Sequence, residues 1–160
     1  ERLVPIAEEH DIRLILHPSD PPLPGEPFSP RRWSRILDAV PSTHSGLLYD
    51  TGVRHEAGVD VEADIAAFGR RGKIFHVHFR NVRGSIPTDG GYEEVALDDG
   101  DLDMFRILRA LKAAGYDGAL QVDHLPRIAG DNDAYQWRAT AYAVGYIRAL
   151  LTALAALPAD

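Results

Sequence analysis

The sequence predicts an α/β protein whose parallel strands are joined by helices, organised as half of a (β/α)8 barrel. Three observations carry that fold class. Four short aliphatic segments alternate with longer segments of helical periodicity. Turn and cap residues punctuate them where one element must give way to the next. Each aliphatic segment also ends in a residue able to bind a metal, which is the end where a parallel α/β fold builds its active site.

Residues 1–9 read as a helix with Leu3, Ile6 and Ala7 on one face. Ile12-Arg13-Leu14-Ile15-Leu16 is a β-branched and aliphatic run ending at His17-Pro18. Pro18, Pro21, Pro22, Pro24 and Pro27 exclude regular structure up to Ser29, since each proline removes a backbone donor. Ser29 then has the character of an N-cap, with Pro30 at the first helical position of a helix reaching about residue 40. Gly46-Leu47-Leu48-Tyr49-Asp50 is the second strand, followed by a helix over 59–70 with Ile65, Ala66 and Phe68 apolar. Residues 73–79 make the third strand, which runs directly into Arg80-Asn81-Val82. Residues 83–100, rich in Gly, Pro and Asp, read as a long loop. Asp101 caps a helix over 102–114 whose core face is Leu102, Phe105, Ile107, Leu108 and Leu111, and Gly115 ends it. Ala119-Leu120-Gln121-Val122 is the fourth strand, ending at Asp123-His124, and a last helix covers 134–157.

Such alternation gives parallel strands with right-handed crossovers. Four units are too few to close an eight-stranded barrel but make one half of it; an open four-stranded sheet satisfies the same pattern. The chain opens at Glu1 inside a helical pattern, which fits a fragment and equally a processed protein.

Composition narrows the function classes. The 160 residues are 45% hydrophobic and 26% charged, ordinary for one globular domain. The formal charge is −7 with no lysine- or arginine-rich block, which argues against nucleic acid and anionic membrane as partners. Cysteine is absent, so there is neither a disulfide framework nor a thiolate metal site. The start ERLVPIAEEH lacks the basic and apolar regions of a signal peptide, and the apolar stretch 139–157 carries Arg148 in its middle. The expectation is a soluble, cytoplasmic domain.

The chemistry is expected at His17, Asp50, His78 and Asp123, the residues that end the four strands. Two imidazoles and two carboxylates converging on one barrel mouth suit Mn²⁺, Fe²⁺, Co²⁺ or Zn²⁺. Singly, each has a plainer reading: a hydrogen-bonded histidine, a turn-opening Asp50, a capping Asp123. The common register of all four favours the metal. His76 and His78 share a face, and His78 lies nearer the mouth, which leaves His76 to fill the interior. Arg80 continues that face and offers a bidentate clamp for a carboxylate substrate, with a salt bridge to a local acid as the alternative. His124 is placed to exchange protons near neutral pH. Tyr135 either enters the mouth as a second proton carrier or packs the last helix onto the barrel, while Tyr142 and Tyr146 read as core. Gly90-Gly91-Tyr92-Glu93-Glu94 has the composition of a lid. Asp98, Asp99, Asp101 and Asp103 read as a solvated helix start, lacking the calcium-loop pattern.

Taken in order, His17-Pro18-Ser19-Asp20-Pro21-Pro22, His78-Phe79-Arg80-Asn81-Val82, Gly100-Asp101-Leu102-Asp103-Met104, Asp123-His124 and the stretch 141–150 (AYAVGYIRAL) resemble the mannonate dehydratase family. The resemblance spans nearly the whole chain and the later part of that family's length. It implies a xylose-isomerase-like TIM barrel, with residues 1–160 as the C-terminal half of a single catalytic domain. It also implies Mn²⁺, with Fe²⁺ or another divalent ion as alternative, and dehydration of D-mannonate to 2-keto-3-deoxy-D-gluconate in hexuronate catabolism. In that family two His, one Cys and one Asp hold the metal. Those positions fall on His17, His78 and Asp123, with Asp50 where the family has its Cys. His124 and Tyr135 match the residues of proton transfer, and Arg80 with Asn81 are the candidate substrate contacts. The implied partner is a small sugar acid, in a homo-oligomer. Two other readings stay open: a metal-dependent sugar isomerase or epimerase of the same superfamily, and an inactive half-barrel that associates through its open edges.

Overall fold

The computed structural model describes residues 2–17, 32–132 and 136–158. The expected proline-rich loop, the Ser29 cap and Tyr135 lie outside these residues. The elements are α1 (Val4–Glu9), β1 (Leu14–Leu16), α2 (Arg32–Ala39), β2 (Ser45–Asp50), α3 (Thr51–Glu56) and α4 (Val61–Arg70). There follow β3 (Ile74–His78), β4 (Asn81–Arg83), α5 (Ile86–Asp89), β5 (Glu93–Val95), α6 (Met104–Ala113), β6 (Leu120–Gln121) and α7 (Trp137–Ala155).

β1, β2, β3 and β6 form one parallel sheet in that order, so each crossover steps one strand further in the same direction. A doubly wound sheet would reverse its order partway. Here Leu47, Tyr49, Val77 and Phe79 on one sheet face share a core with Trp33 and Leu37 of α2, Ile65 and Phe68 of α4, Ile107 and Leu111 of α6, and Ile147 of α7. α2, α4, α6 and α7 therefore cover a single face. The strand order and this one-sided cover are those of consecutive units of a (β/α)8 barrel.

The other face carries Leu48, Asp50, His76 and His78, and its phase depends on an irregularity. Leu47 pairs with Ile74, but Leu48 pairs with His76, leaving Phe75 as an extra residue of β3. A one-residue bulge exchanges the two faces of a strand beyond it. It turns His76 and His78 toward Asp50 and leaves Val77 in the core. Phe75 fits because residue 46 is glycine: a Cβ there would lie 2.6 Å from the phenyl ring.

Beneath the helix-covered face sits a charged clamp. The Arg54 side chain is fully buried, and its Nε and Nη2 donate to the two carboxylate oxygens of Asp64 at 2.8 and 3.1 Å. Tyr49 donates to the same carboxylate at 3.0 Å, and the guanidinium lies 4.3 Å from the Trp33 ring. Burial first, then Asp64, pushes the Tyr49 hydroxyl well up, which keeps it a donor. The clamp ties α3 to α4.

Several elements differ from expectation because they are too short to show periodicity. α3, the six-residue helix directly after β2, leaves no amphipathic signature. The expected loop over 83–100 contains α5 and an antiparallel hairpin of β4 with β5, pairing Asn81 with Val95 and Arg83 with Glu93. The cap of α6 is Asp103, which accepts from the Phe105 and Arg106 amides at 3.0 Å; Asp101 instead accepts from Gly84 N–H. In α1 only Ala7 is buried; Leu3 and Ile6 are exposed beside β1, an edge strand with no outer partner among the described residues. Tyr142 is half exposed and bonded to Asp98, whereas Tyr146 packs against the core.

Asp64→Ala leaves the buried Arg54 charge without its principal partner, which costs about 3 kcal/mol. Urea denaturation measures this, and a loss below about 1 kcal/mol would show that the clamp is well solvated.

Candidate metal centre

Asp50 is the residue through which the centre is organised, and its two oxygens point in different directions. As the N-cap of α3, its Oδ1 accepts from Val53 N–H at 2.8 Å and from Arg80 Nε at 3.2 Å. Its Oδ2 faces His17 Nε2 at 3.9 Å and His78 Nδ1 at 3.5 Å. Asp50 thus opens α3 with one oxygen and turns the other toward the two histidines. Thr51 secures the arrangement, donating to Arg80 O at 2.6 Å and accepting from Arg80 N–H at 2.9 Å. Gly52 leaves room for the guanidinium, since a Cβ there would collide with Arg80 Nε.

The sheet brings together the strand-end residues. One ligand atom each from His17, Asp50 and His78 lie within 4.8 Å of one another, a group that can hold a metal ion. Asp123 approaches from the other side: its Oδ2 is 3.1 Å from His78 Nδ1, outside that three-membered group. His76 is half-buried and turns to Gln121, 3.0 Å away.

The residues present fit a divalent cation. His78 Nδ1 is buried beside two carboxylate oxygens, yet it makes no hydrogen bond of proper geometry. A buried polar atom left so is costly unless something else satisfies it. Gaps of 3.5 and 3.9 Å between donor atoms resemble those of ligands about 2.1 Å from a shared ion. Oxygen and imidazole donors without thiolate suit a first-row divalent ion.

Electrostatics point the same way. Burial pushes the Asp50 carboxyl up, but His17, His78, Arg80 and the Val53 amide outweigh it and hold it well below the usual range. Asp50 foremost, with Asp123, raises His78 against its burial. Arg80 is almost fully buried and meets three acids: Asp50, Glu94 at 2.9 Å, and Glu56. Burial lowers the guanidinium, and the three carboxylates more than reverse it. Three carboxylates therefore surround one fixed cation, and a fourth, Asp123, stands beside His78.

Both expected substrate contacts, Arg80 and Asn81, are held by protein partners in this structure. Every nitrogen of the Arg80 guanidinium is engaged by a protein carboxylate, so the local-acid reading holds. Asn81 donates to Leu97 O and Leu102 O, and it accepts from Val82 and Leu102 amides. Its amide closes the 97–102 turn, and Gly100 has no Cβ because one would strike Asn81 Oδ1. The expected lid also differs: Glu93 pairs with Arg83 and Glu94 with Arg80, which pins that segment in the hairpin.

His124 stands at the mouth, half exposed, with Nδ1 2.7 Å from Glu94 Oε1 and Nε2 3.5 Å from Asp123 Oδ2. Glu56 and Glu94 were the members that sequence reasoning missed. Glu94 was visible only as part of a flexible-looking segment, and Glu56 lay in the unrecognised α3.

Glu56 sets a pH dependence. Burial foremost, then Asp50 and Glu94, pushes it up to about 7 against the pull of Arg80. An unfolded glutamate titrates near 4.3, so between these values the folded state holds the extra proton, and stability falls as pH rises. In metal-free protein, the wild type should lose on the order of 2–3 kcal/mol relative to Glu56→Gln between about pH 5 and 8. Urea melts with a chelator at both pH values measure it; a constant difference would give Glu56 an ordinary pKa.

Comparison with known proteins gives the family. The family described as D-mannonate dehydratase (UxuA) matches residues 1–159. Mannonate dehydratase of Chromohalobacter salexigens is 39% identical over 116 residues, covering 68% of this chain and 29% of that protein. That of Enterococcus faecalis is 35% identical over 133 residues, 78% of this chain and 36% of its own. Among solved structures, mannonate dehydratase from Streptococcus suis serotype 2 superposes with a TM-score of 0.82 at 28% identity, over 97% of this chain and 48% of that one. A xylose isomerase domain protein from Planctomyces limnophilus, TM-score 0.73 and 19% identical over 98% of this chain and 51% of its own, shares the fold. The chain spans about a third of these curated relatives and about half of the solved ones. The chain belongs to the D-mannonate dehydratase family.

Proposed function

We propose that residues 1–160 are the C-terminal, metal-binding half of a single (β/α)8 catalytic domain. That domain eliminates water from D-mannonate to give 2-keto-3-deoxy-D-gluconate. The observation that carries this is His78 Nδ1, buried between Asp50 and Asp123 without a hydrogen bond, in a chain of this family. His17, Asp50, His78 and Asp123 are the ligands, and Mn²⁺ is the ion we assign, with Fe²⁺ as alternative. When bound, the ion supplies Lewis acidity at the substrate's carboxylate and 2-hydroxyl.

The chain's own residues do the rest. Arg80 keeps Asp50 ionised and turned so that Oδ2 is free for the site. Elimination requires removal of the C2 proton and protonation of the departing 3-hydroxyl. His124, at the mouth beside Asp123, is one of the two proton carriers, and Tyr135 is the other.

Elemental analysis and turnover test the proposal together. The wild type should hold about one divalent ion per site, and Asp50→Ala and His78→Ala should each retain less than about a tenth of it with the fold intact. D-mannonate dehydration should fall by about 1000-fold in both. Metal binding with turnover of an aldose or ketose instead of mannonate would move the assignment to an isomerase. Full metal content in both variants would remove the ligand set.

A further inference from the structure

Glu94 sits on β5 opposite Val82 of β4, in the hairpin that grows directly out of the end of β3. One of its oxygens, Oε1, receives two partners: Arg80 Nη1 at 2.9 Å and His124 Nδ1 at 2.7 Å. A guanidinium stays charged at any working pH and holds the carboxylate in place. An ionised carboxylate only accepts, so the imidazole nitrogen facing it must carry the proton. His124 also has a φ of 48°, left-handed backbone that a non-glycine residue adopts at a cost of about 1 kcal/mol or more. Such a conformation persists where surrounding contacts hold it, and the Glu94 contact holds the ring end.

We propose that Glu94 is the positioning residue of His124. It fixes the Nδ1–H tautomer and the ring orientation, so that Nε2 lies on the side of Asp123 and the strand-end cluster. The chain of contacts runs from Asp50 through Arg80 and Glu94 to His124, which joins the proton carrier to the same guanidinium that orients a metal ligand. The hairpin is thereby part of the site, although no residue of β5 touches the ligand cluster directly. This rests on the role given to His124 above, and the test separates the two.

The experiment compares wild type, Glu94→Ala, Glu94→Gln and, as control, Glu93→Gln, whose side chain pairs with exposed Arg83 outside the site. Imidazole ¹⁵N shifts at a fixed pH of about 8, with Mg²⁺ present, report the tautomer, and the His124 signal is the one lost in His124→Gln. The wild type should show the Nδ1–H form, and Glu94→Ala should revert to the Nε2–H form that free imidazole favours. The mannonate kcat of Glu94→Ala should fall about 100-fold with KM and metal content within about twofold. Glu94→Gln, which keeps an acceptor oxygen, should recover to within about tenfold of wild type. A tautomer that changes as expected in a protein without mannonate turnover would leave Glu94 in place and remove the dehydratase reading. An unchanged tautomer in Glu94→Ala, or a kcat loss accompanied by equal metal loss, would overturn the positioning role.

Discussion

The carboxylate of Asp50 has two oxygens with two different tasks, and most of the structure around the site depends on that division. Oδ1 is committed to protein: it caps α3 and receives Arg80. Oδ2 is left facing the two histidines. Because the cap fixes the side chain against the backbone of the following helix, Oδ2 has little rotational freedom. The site is therefore built before any ion enters, which lowers the entropic cost of binding one.

Arg80 extends this constraint outward. A buried guanidinium requires carboxylates, and three of them converge on it from α3, from the end of β2 and from β5. Its position is in turn enforced by Thr51 and by the absence of a side chain at Gly52. The surplus of negative charge left over has two outlets. One is the raised pKa of Glu56, which holds a proton; the other is the strand-end cluster, which suits a divalent cation. An arginine that clamps substrate would have to leave this arrangement and expose three unpaired acids, at a cost of several kcal/mol.

How far the sequence revealed all this varies with the length of the signal. The four parallel strands and the α4, α6 and α7 helices were legible, because buried parallel strands read as aliphatic runs and the helices as periodic ones. The convergence of His17, Asp50 and His78 was legible for the same reason: parallel strands in register put their ends together. The side chains of Arg80 and Asn81 were not. The local sequence says that a polar residue follows β3, but which partner it meets depends on Glu56 and Glu94, reached only through a six-residue helix and a three-residue strand. Elements that short carry no periodicity. Even the shared face of His76 and His78 with Asp50 rests on the Phe75 bulge, a backbone feature whose one sequence trace is the glycine at 46.

The division of labour at Asp50 also bears on which residues can occupy that position. A thiolate offers one sulfur, which can face an ion or meet Arg80 and the α3 amide, but cannot do both in the directions seen here. With a carboxylate there, Arg80 and the cap are satisfied by the oxygen that does not face the cluster, and the cluster keeps a hard donor. The preference of such a site moves toward harder divalent ions than a sulfur-containing one would choose. Asp50 is thus coupled to the presence of Arg80, Glu56 and Glu94: remove the guanidinium, and Oδ1 loses the partner that keeps Oδ2 turned toward His17 and His78. Under the proposed ligand set, metal preference depends on the acids behind Arg80 as much as on His17, Asp50, His78 and Asp123.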